Sequence, residues 1–381
     1  MILRALSGGR LQIGNLSDAD DTRVLAAALE SEESVIDIGH AGTAMRFLAA
    51  FMALSGIKNR ILTGSTRMQH RPIGPLVEAL QQLGAQIEYT GAEGYPPLQF
   101  RGYHPTDTNK VTLNASLSSQ YASALVLGGA GLSTGLIVEL KGNIASRSYL
   151  DFTLNLMAEA GIKCGWFDEQ HVYTFPWEPE PKTIKVEGDW SAASYWFAAC
   201  GISGKAITLS PLRENSLQPD RNVVDYFASL GVAALFEGDM VHLTPSTVVA
   251  KSITIDFVNT PDIAQTLMVY CAAKDVVLTA TGLETLRIKE TDRISAMQQE
   301  LAKFGCTLEE SRIGEYVLTA SFALPEEPIV INTYHDHRMA MAFAPLQLLK
   351  RDIAFKQPEV VTKSYPQFWE QWEDFLAGLI N

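Results

Sequence analysis

The chain has no block of basic residues, no C-x-x-C pair and no apolar run long enough to cross a bilayer. Of its 381 residues, 30 are Lys or Arg and 43 are Asp or Glu, giving a formal net charge of -13. An acidic balance with no basic tail argues against nucleic acid as a main partner. It leaves small anionic substrates open, because these need only a local cluster of Arg and Lys. The cysteines, Cys164, Cys200, Cys271 and Cys306, are scattered through apolar runs. They read as reduced, mostly buried residues of a cytoplasmic protein. The longest apolar run, around Phe47 to Ile57, falls well short of the ~20 residues of a membrane helix. The start, Met1-Ile2-Leu3-Arg4, lacks the basic region and long apolar core of a signal peptide. What is present is a chain that is 47% hydrophobic and 19% charged, a globular composition with length enough for two domains.

A phrase recurs along it. Leu76 to Leu83 reads as an amphipathic helix that stops at Gly84, followed by the strand-like Gln86 to Tyr89. Similar helix-Gly-strand phrases end at Gly161, Gly231 and Gly305, about 70–77 residues apart. Between them fall helices that are apolar on most faces and therefore buried: Thr43 to Leu54, Ser119 to Leu127, Ser191 to Cys200, Asp262 to Cys271 and His337 to Leu349. Each opens on polar or charged residues. The pattern predicts an α/β (α+β) chain of roughly six helix/strand units. These group as two domains, 1–187 and 188–381, each with three-fold pseudo-symmetry. If the buried helices of a domain run parallel, their positive N-terminal ends converge and trap anions.

The richest stretch is Arg287 to Arg293, with three cations and two carboxylates ahead of Ile294, Met297, Leu301 and Phe304, which recur at helical spacing. Lys289 and Arg293 are four apart, so a helix starting here would point both the same way. That predicts a site for a doubly charged anion, with Glu290 beside it as a proton carrier; the alternative is a solvated, salt-bridged first turn. Asp262, after Pro261, is either a helix cap or a catalytic carboxylate. Ser118-Ser119-Gln120 either caps its own helix or grips an anion. His335-x-His337 has metal-like spacing but no third ligand group, so no metal is expected.

The helix starts carry a family resemblance. The matching motifs are Ala41-Gly42-Thr43-Ala44-Met45-Arg46, Arg71-Pro72-Ile73-Gly74, Ser118-Ser119-Gln120, Asp151 to Met157 and Val186-Glu187-Gly188-Asp189. They continue with Pro261-Asp262, Lys289-Glu290-Thr291-Asp292-Arg293, Asp336-His337-Arg338-Met339-Ala340 and Thr362-Lys363-Ser364-Tyr365-Pro366. In content and order they resemble the 5-enolpyruvylshikimate-3-phosphate synthase family. The resemblance implies an enolpyruvyl-transferase fold whose two domains close on substrates held in a cleft between them. It implies transfer of the carboxyvinyl group of phosphoenolpyruvate to the 5-hydroxyl of shikimate 3-phosphate, with release of phosphate, and no metal or organic cofactor. Matched motif by motif, Ser118, Ser119, Gln120, Ser146, Tyr149, Asp262 and Lys289 are the expected ligands of shikimate 3-phosphate. Gly42, Arg71, Gln120, Arg293, Arg338 and Lys363 are those of phosphoenolpyruvate. Asp262 matches the base for the 5-hydroxyl and Glu290 the second proton-transfer carboxylate.

The match has departures. A Ser-Lys-Ser segment and an Asn-Arg expected before Ile2-Leu3-Arg4-Ala5-Leu6 are absent, along with the strand they belong to. His40, Phe47 and Thr285 stand where the family often has Asn, Pro and Asn. The missing lysine would contact both substrates. The expectation is therefore that this chain turns over slowly, and that about 25–30 further N-terminal residues, half of one repeat unit, restore activity. The competing readings are a degenerate member that binds phosphorylated ligands without turnover, and UDP-N-acetylglucosamine enolpyruvyl transferase. The latter family carries a cysteine in a Pro-Gly-Gly-Cys-like loop, a setting that none of the four cysteines has. The family precedent is a monomer.

Overall fold

The structure is a computed structural model that describes residues 1–115, 118–142, 144, 147–247, 250–319 and 321–379. The chain divides into two compact units, Met1–Val186 and Glu187–Asn381, each with its own apolar core. Among the described residues there are six sheets, three in each unit.

One plan recurs: a strand, a buried helix, a parallel strand, an outer helix and a hairpin. In the first unit, Val35–Asp37 lies parallel to Arg60–Thr63, and Gly42–Leu54 is the crossover helix between them. Parallel neighbours need such a crossover. Leu98–Tyr103 and Ala85–Tyr89 complete the sheet antiparallel. Lys110–Asn114, Leu136–Lys141, His171–Thr174 and Cys164–Trp166 repeat it around the helix Ser119–Gly129. In the second unit, Ser252–Asp256, Val277–Thr281, Glu315–Thr319 and Thr307–Arg312 repeat it again around Ala264–Ala273. The remaining sheets are smaller. Leu11–Gly14 pairs with Lys182–Lys185, and Ile329–Asn332 with Ile353–Lys356, both parallel; Ile207–Leu209, Met240–Pro245 and Val232–Glu237 are antiparallel. The expected unit is therefore complete in three places and abbreviated in the others.

The apolar helices form the cores. Ten residues of Gly42–Leu54 and eleven of Trp190–Ser203 are buried. Small residues permit the close packing: a Cβ on Gly128 would lie 2.7 Å from Leu54 Cδ1. The four helix-ending glycines, Gly84, Gly161, Gly231 and Gly305, all have positive φ. At Gly84 (φ 101°) the need is double, because a side chain would also run into the carbonyl of His104.

Three helix starts or ends differ from the periodic reading. Asp262 lies in a 3₁₀ turn, Pro261–Ile263, and the α-helix begins at Ala264. The helix from His337 ends at Phe343 and continues as a 3₁₀ turn, Ala344–Leu348, around Pro345, which has no N–H to donate. The helix after Arg287 begins only at Arg293.

Candidate active site

In the second unit, charged side chains from four segments meet around Arg293. Its side chain is 2% exposed, a costly place for a cation unless it is fully paired. Nε donates to Asp336 Oδ2 at 2.8 Å, Nη1 to Asp262 Oδ1 at 3.0 Å and Nη2 to Glu290 Oε2 at 2.9 Å. Arg338 closes on the same carboxylate: Nη2 donates to Asp262 Oδ2 at 2.9 Å and Nη1 to the Asp262 carbonyl at 3.0 Å. Lys363 Nζ stands 3.6 Å from Glu290 Oε1. Asp336, fully buried, caps its helix by accepting from Arg338 N at 2.9 Å.

The array polarises its members. Burial opposes the charges on Arg293 and Arg338, but the facing carboxylates outweigh it and hold both above the usual arginine range. Burial likewise opposes ionisation of Asp262, yet Arg338, Lys289 and Arg293 overcome it and keep the carboxyl well below the usual carboxylate range. Burial, then Lys363 and Arg338, push His337 well below its ordinary value, so its ring is neutral.

The stretch Arg287–Arg293 contributes Glu290 and Arg293 to this cluster, but not in the expected form. Lys289 is extended (φ -82°, ψ -153°) and precedes the helix, so it and Arg293 do not share a helix face. Asp292 is the cap, accepting from Ser295 N at 3.0 Å and Ser295 Oγ at 2.8 Å. Arg287 turns away to Asp292 and Glu310. Of the solvated, salt-bridged alternative, the salt bridges are present, Arg293 to Glu290 and Arg287 to Asp292, but Arg293 is buried and not solvated, and the anions beside it are the protein's own carboxylates.

In the first unit a second cluster forms where two buried helices begin. Gln120 Nε2 donates to Thr43 Oγ1 at 3.0 Å, joining the start of Ser119–Gly129 to that of Gly42–Leu54. The Arg71 guanidinium packs against Gly42, where a Cβ would run into its Nη1 and lie 3.1 Å from its Cζ. Gly42, Arg71 and Gln120 are thereby gathered. Ser118 caps its helix, accepting from Gln120 N at 3.2 Å, and Ser119 is buried in the first turn. Tyr149 lies in the first turn of Arg147–Glu159, where its carbonyl accepts from Thr153 Oγ1; Thr153 in turn bonds Ser123 on the Gln120 helix. Ser146 lies outside the described residues.

Three supporting residues are not among the expected ligands, although Arg46 and Asp336 stand in quoted motifs; Asp220 carries no local sequence signal. Arg46 donates to the carbonyls of Gly42 and Pro72, fixing both sides of the Gly42–Arg71 contact. Asp220 is 3% exposed and accepts from Ser191 Oγ; burial, then the Asp262 charge, push it up to about 7. Asp336, present in a quoted motif, caps its helix locally and adds a second role through the distant Arg293.

Residues 2–372 match the family described as EPSP synthase (3-phosphoshikimate 1-carboxyvinyltransferase). A 3-phosphoshikimate 1-carboxyvinyltransferase of Bacteroides fragilis (strain YCH46) is 43% identical over 373 residues, covering 97% of this chain and 90% of the relative. One of Yersinia pestis bv. Antiqua (strain Angola) is 32% identical over 400 residues, covering 98% and 92%. The solved EPSP synthase of Acinetobacter baumannii superposes with a TM-score of 0.71 at 19% identity, covering 98% of this chain and 92% of that one. The fold is accordingly the two-domain enolpyruvyl-transferase fold, and the chain belongs to the EPSP synthase family.

Proposed function

We propose that the chain transfers the carboxyvinyl group of phosphoenolpyruvate to the 5-hydroxyl of shikimate 3-phosphate and releases phosphate. The observation that carries this reading is the Arg293–Arg338–Lys363 array gathered around Asp262 and Glu290. The reaction needs cations for a phosphate and a carboxylate on one substrate, and carboxyl groups to move protons at an oxygen and at a vinyl carbon. Arginine forks suit both anions. In this reading Gly42, Arg71, Gln120, Arg293, Arg338 and Lys363 hold phosphoenolpyruvate. Ser118, Ser119, Gln120, Ser146, Tyr149, Asp262 and Lys289 hold shikimate 3-phosphate.

The steps balance as addition and elimination. Asp262 takes the 5-hydroxyl proton as the oxygen bonds to C2 of phosphoenolpyruvate, and C3 gains a proton from the Glu290 side. C3 then loses a proton, the C2–O bond to phosphate breaks, and the vinyl group is restored on the new ether. Water must be kept out while C2 carries positive charge.

A phosphorus NMR time course tests the reading. It should show inorganic phosphate and one new phosphorylated product growing together from the two substrates. Turnover with UDP-N-acetylglucosamine instead would move the chain to the other enolpyruvyl transferases. The match along nearly the whole chain to relatives named for this activity does not favour binding without turnover. The same reading makes the protein a cytoplasmic monomer, and sedimentation at a single-chain mass checks the second point. Among the described residues no helix is long and apolar enough to cross a membrane.

A further inference from the structure

The carboxylates of the array and its anionic substrate need the same cations. All three guanidinium nitrogens of Arg293 donate to carboxylates: Nε to Asp336, Nη1 to Asp262 and Nη2 to Glu290. Arg338 spends Nη2 on Asp262, and Lys363 faces Glu290. The Asp336 pairing is fully buried, whereas Asp262 is 24% and Glu290 16% exposed at the side chain. The first is a fixed strut. The other two occupy seats that a ligand entering from solvent can take.

We propose that Asp262 and Glu290 are affinity- and specificity-setting residues: built-in competitors that hold the anion seats until a ligand with two anionic groups displaces both. This rests on the assignment of Arg293, Arg338 and Lys363 to phosphoenolpyruvate. Three of the five N–H donors of Arg293 go to carboxylates, and Asp262 and Glu290 share its Nη edge, so an anion docking on that edge competes with both for its space and its charge. Chloride or a lone carboxylate offers one group and leaves the other pairing intact. A molecule carrying phosphate and carboxylate together replaces both at once. Selectivity then comes from what the ligand must displace as well as from what it gains.

The displacement also prepares the chemistry. Clamped between two guanidiniums, Asp262 is a poor proton acceptor, because both oxygens are engaged and the neighbouring charge favours its anion. The groups that face it are Arg338, Lys289, Arg293, Glu290, Asp220 and Asp189. Drawing Arg293 and Arg338 onto the substrate removes the two cations in direct contact with its oxygens and leaves it able to take the hydroxyl proton. The base is thus released by the substrate whose partner it must deprotonate.

Calorimetric titration of inorganic phosphate and of phosphoenolpyruvate, each without shikimate 3-phosphate, tests this on wild type, Asp262→Asn and Glu290→Gln. Phosphoenolpyruvate should bind about tenfold more tightly to each variant, although turnover falls. Inorganic phosphate should do the same with Asp262→Asn, and chloride should begin to compete there. Affinities that are equal or weaker in both variants overturn the proposal, as does the absence of binding in all three proteins. Glu290→Gln, on a partly exposed segment, keeps the test alive if Asp262→Asn fails to fold. Wild-type turnover without tightening sinks this inference alone. Tightening in the variants without wild-type turnover leaves it standing while the proposed reaction fails.

Discussion

Asp336 binds Arg293 Nε through Oδ2 at 2.8 Å while its Oδ1 accepts the backbone N–H of Arg338 at 2.9 Å. One buried carboxylate therefore orients one cation of the array and starts the helix that carries another. Replacing Asp336 by Ala strips a buried guanidinium of its deepest partner, and breaking such a pair typically costs about 3–5 kcal/mol. Urea unfolding should show a loss of that size for Asp336→Ala. A smaller loss is expected for Asp336→Asn, which keeps an oxygen for the cap.

Gly42 and Arg71 are matched in shape. The Cβ of Gly42→Ala would meet the far end of the Arg71 side chain, not backbone. The guanidinium should move and the fold should not. The expected outcome is a KM for phosphoenolpyruvate raised about tenfold, equivalent to ~1.4 kcal/mol, with the melting temperature nearly unchanged. Steady-state kinetics at varied phosphoenolpyruvate, beside a thermal melt, checks both parts.

Glu300 is a positioning residue for Arg338. Fully buried in the Arg293 helix, it accepts from Tyr334 O–H at 2.8 Å, Asn332 N at 3.2 Å and Asn332 Nδ2 at 3.3 Å. Tyr334 and His335 are consecutive non-glycine residues at φ 53° and 58°, a conformation costing about 1–3 kcal/mol each unless its surroundings fix it. That turn delivers Asp336 and Arg338. Tyr334→Phe and Glu300→Leu should raise the KM for phosphoenolpyruvate several-fold or more and leave that for shikimate 3-phosphate unchanged. Glu300→Gln, which keeps acceptor oxygen, should recover most of the loss. Equal changes in both KM values would mark a merely structural role.

Asp220 gives the stability a pH dependence. Its carboxyl is raised in the folded state, from the ordinary 3.8 to about 7, by burial and the Asp262 charge. Between those values the folded chain holds a proton that the unfolded chain has lost. The contribution is therefore fully present below about pH 4 and disappears as pH rises through 7. Denaturant unfolding of wild type and Asp220→Asn at several pH values isolates it: the variant should gain on wild type as pH rises from 4 to 8. A constant difference would contradict the assignment.

What was legible in the sequence follows physical range. The stop at Gly84 and the burial of Gly42–Leu54 are set by neighbours within a few turns, so periodicity and one glycine reveal them. Spacing alone extends the helix back to Arg287 and puts Lys289 on it, whereas Asp292, accepting from Ser295 N, caps the helix so that it begins at Arg293. The strut between Arg293 and Asp336 spans 43 residues and the Ser191–Asp220 bond 29, and no local pattern encodes either. The motifs named the residues of the array, but not that Asp262 and Glu290 would occupy its cations.

Initial-rate release of phosphate from phosphoenolpyruvate, with and without shikimate 3-phosphate, tests the central claim most directly. Release should require both substrates and collapse in Arg338→Ala and Asp262→Asn. Release that is independent of shikimate 3-phosphate, or no release at any concentration of the two, would contradict it.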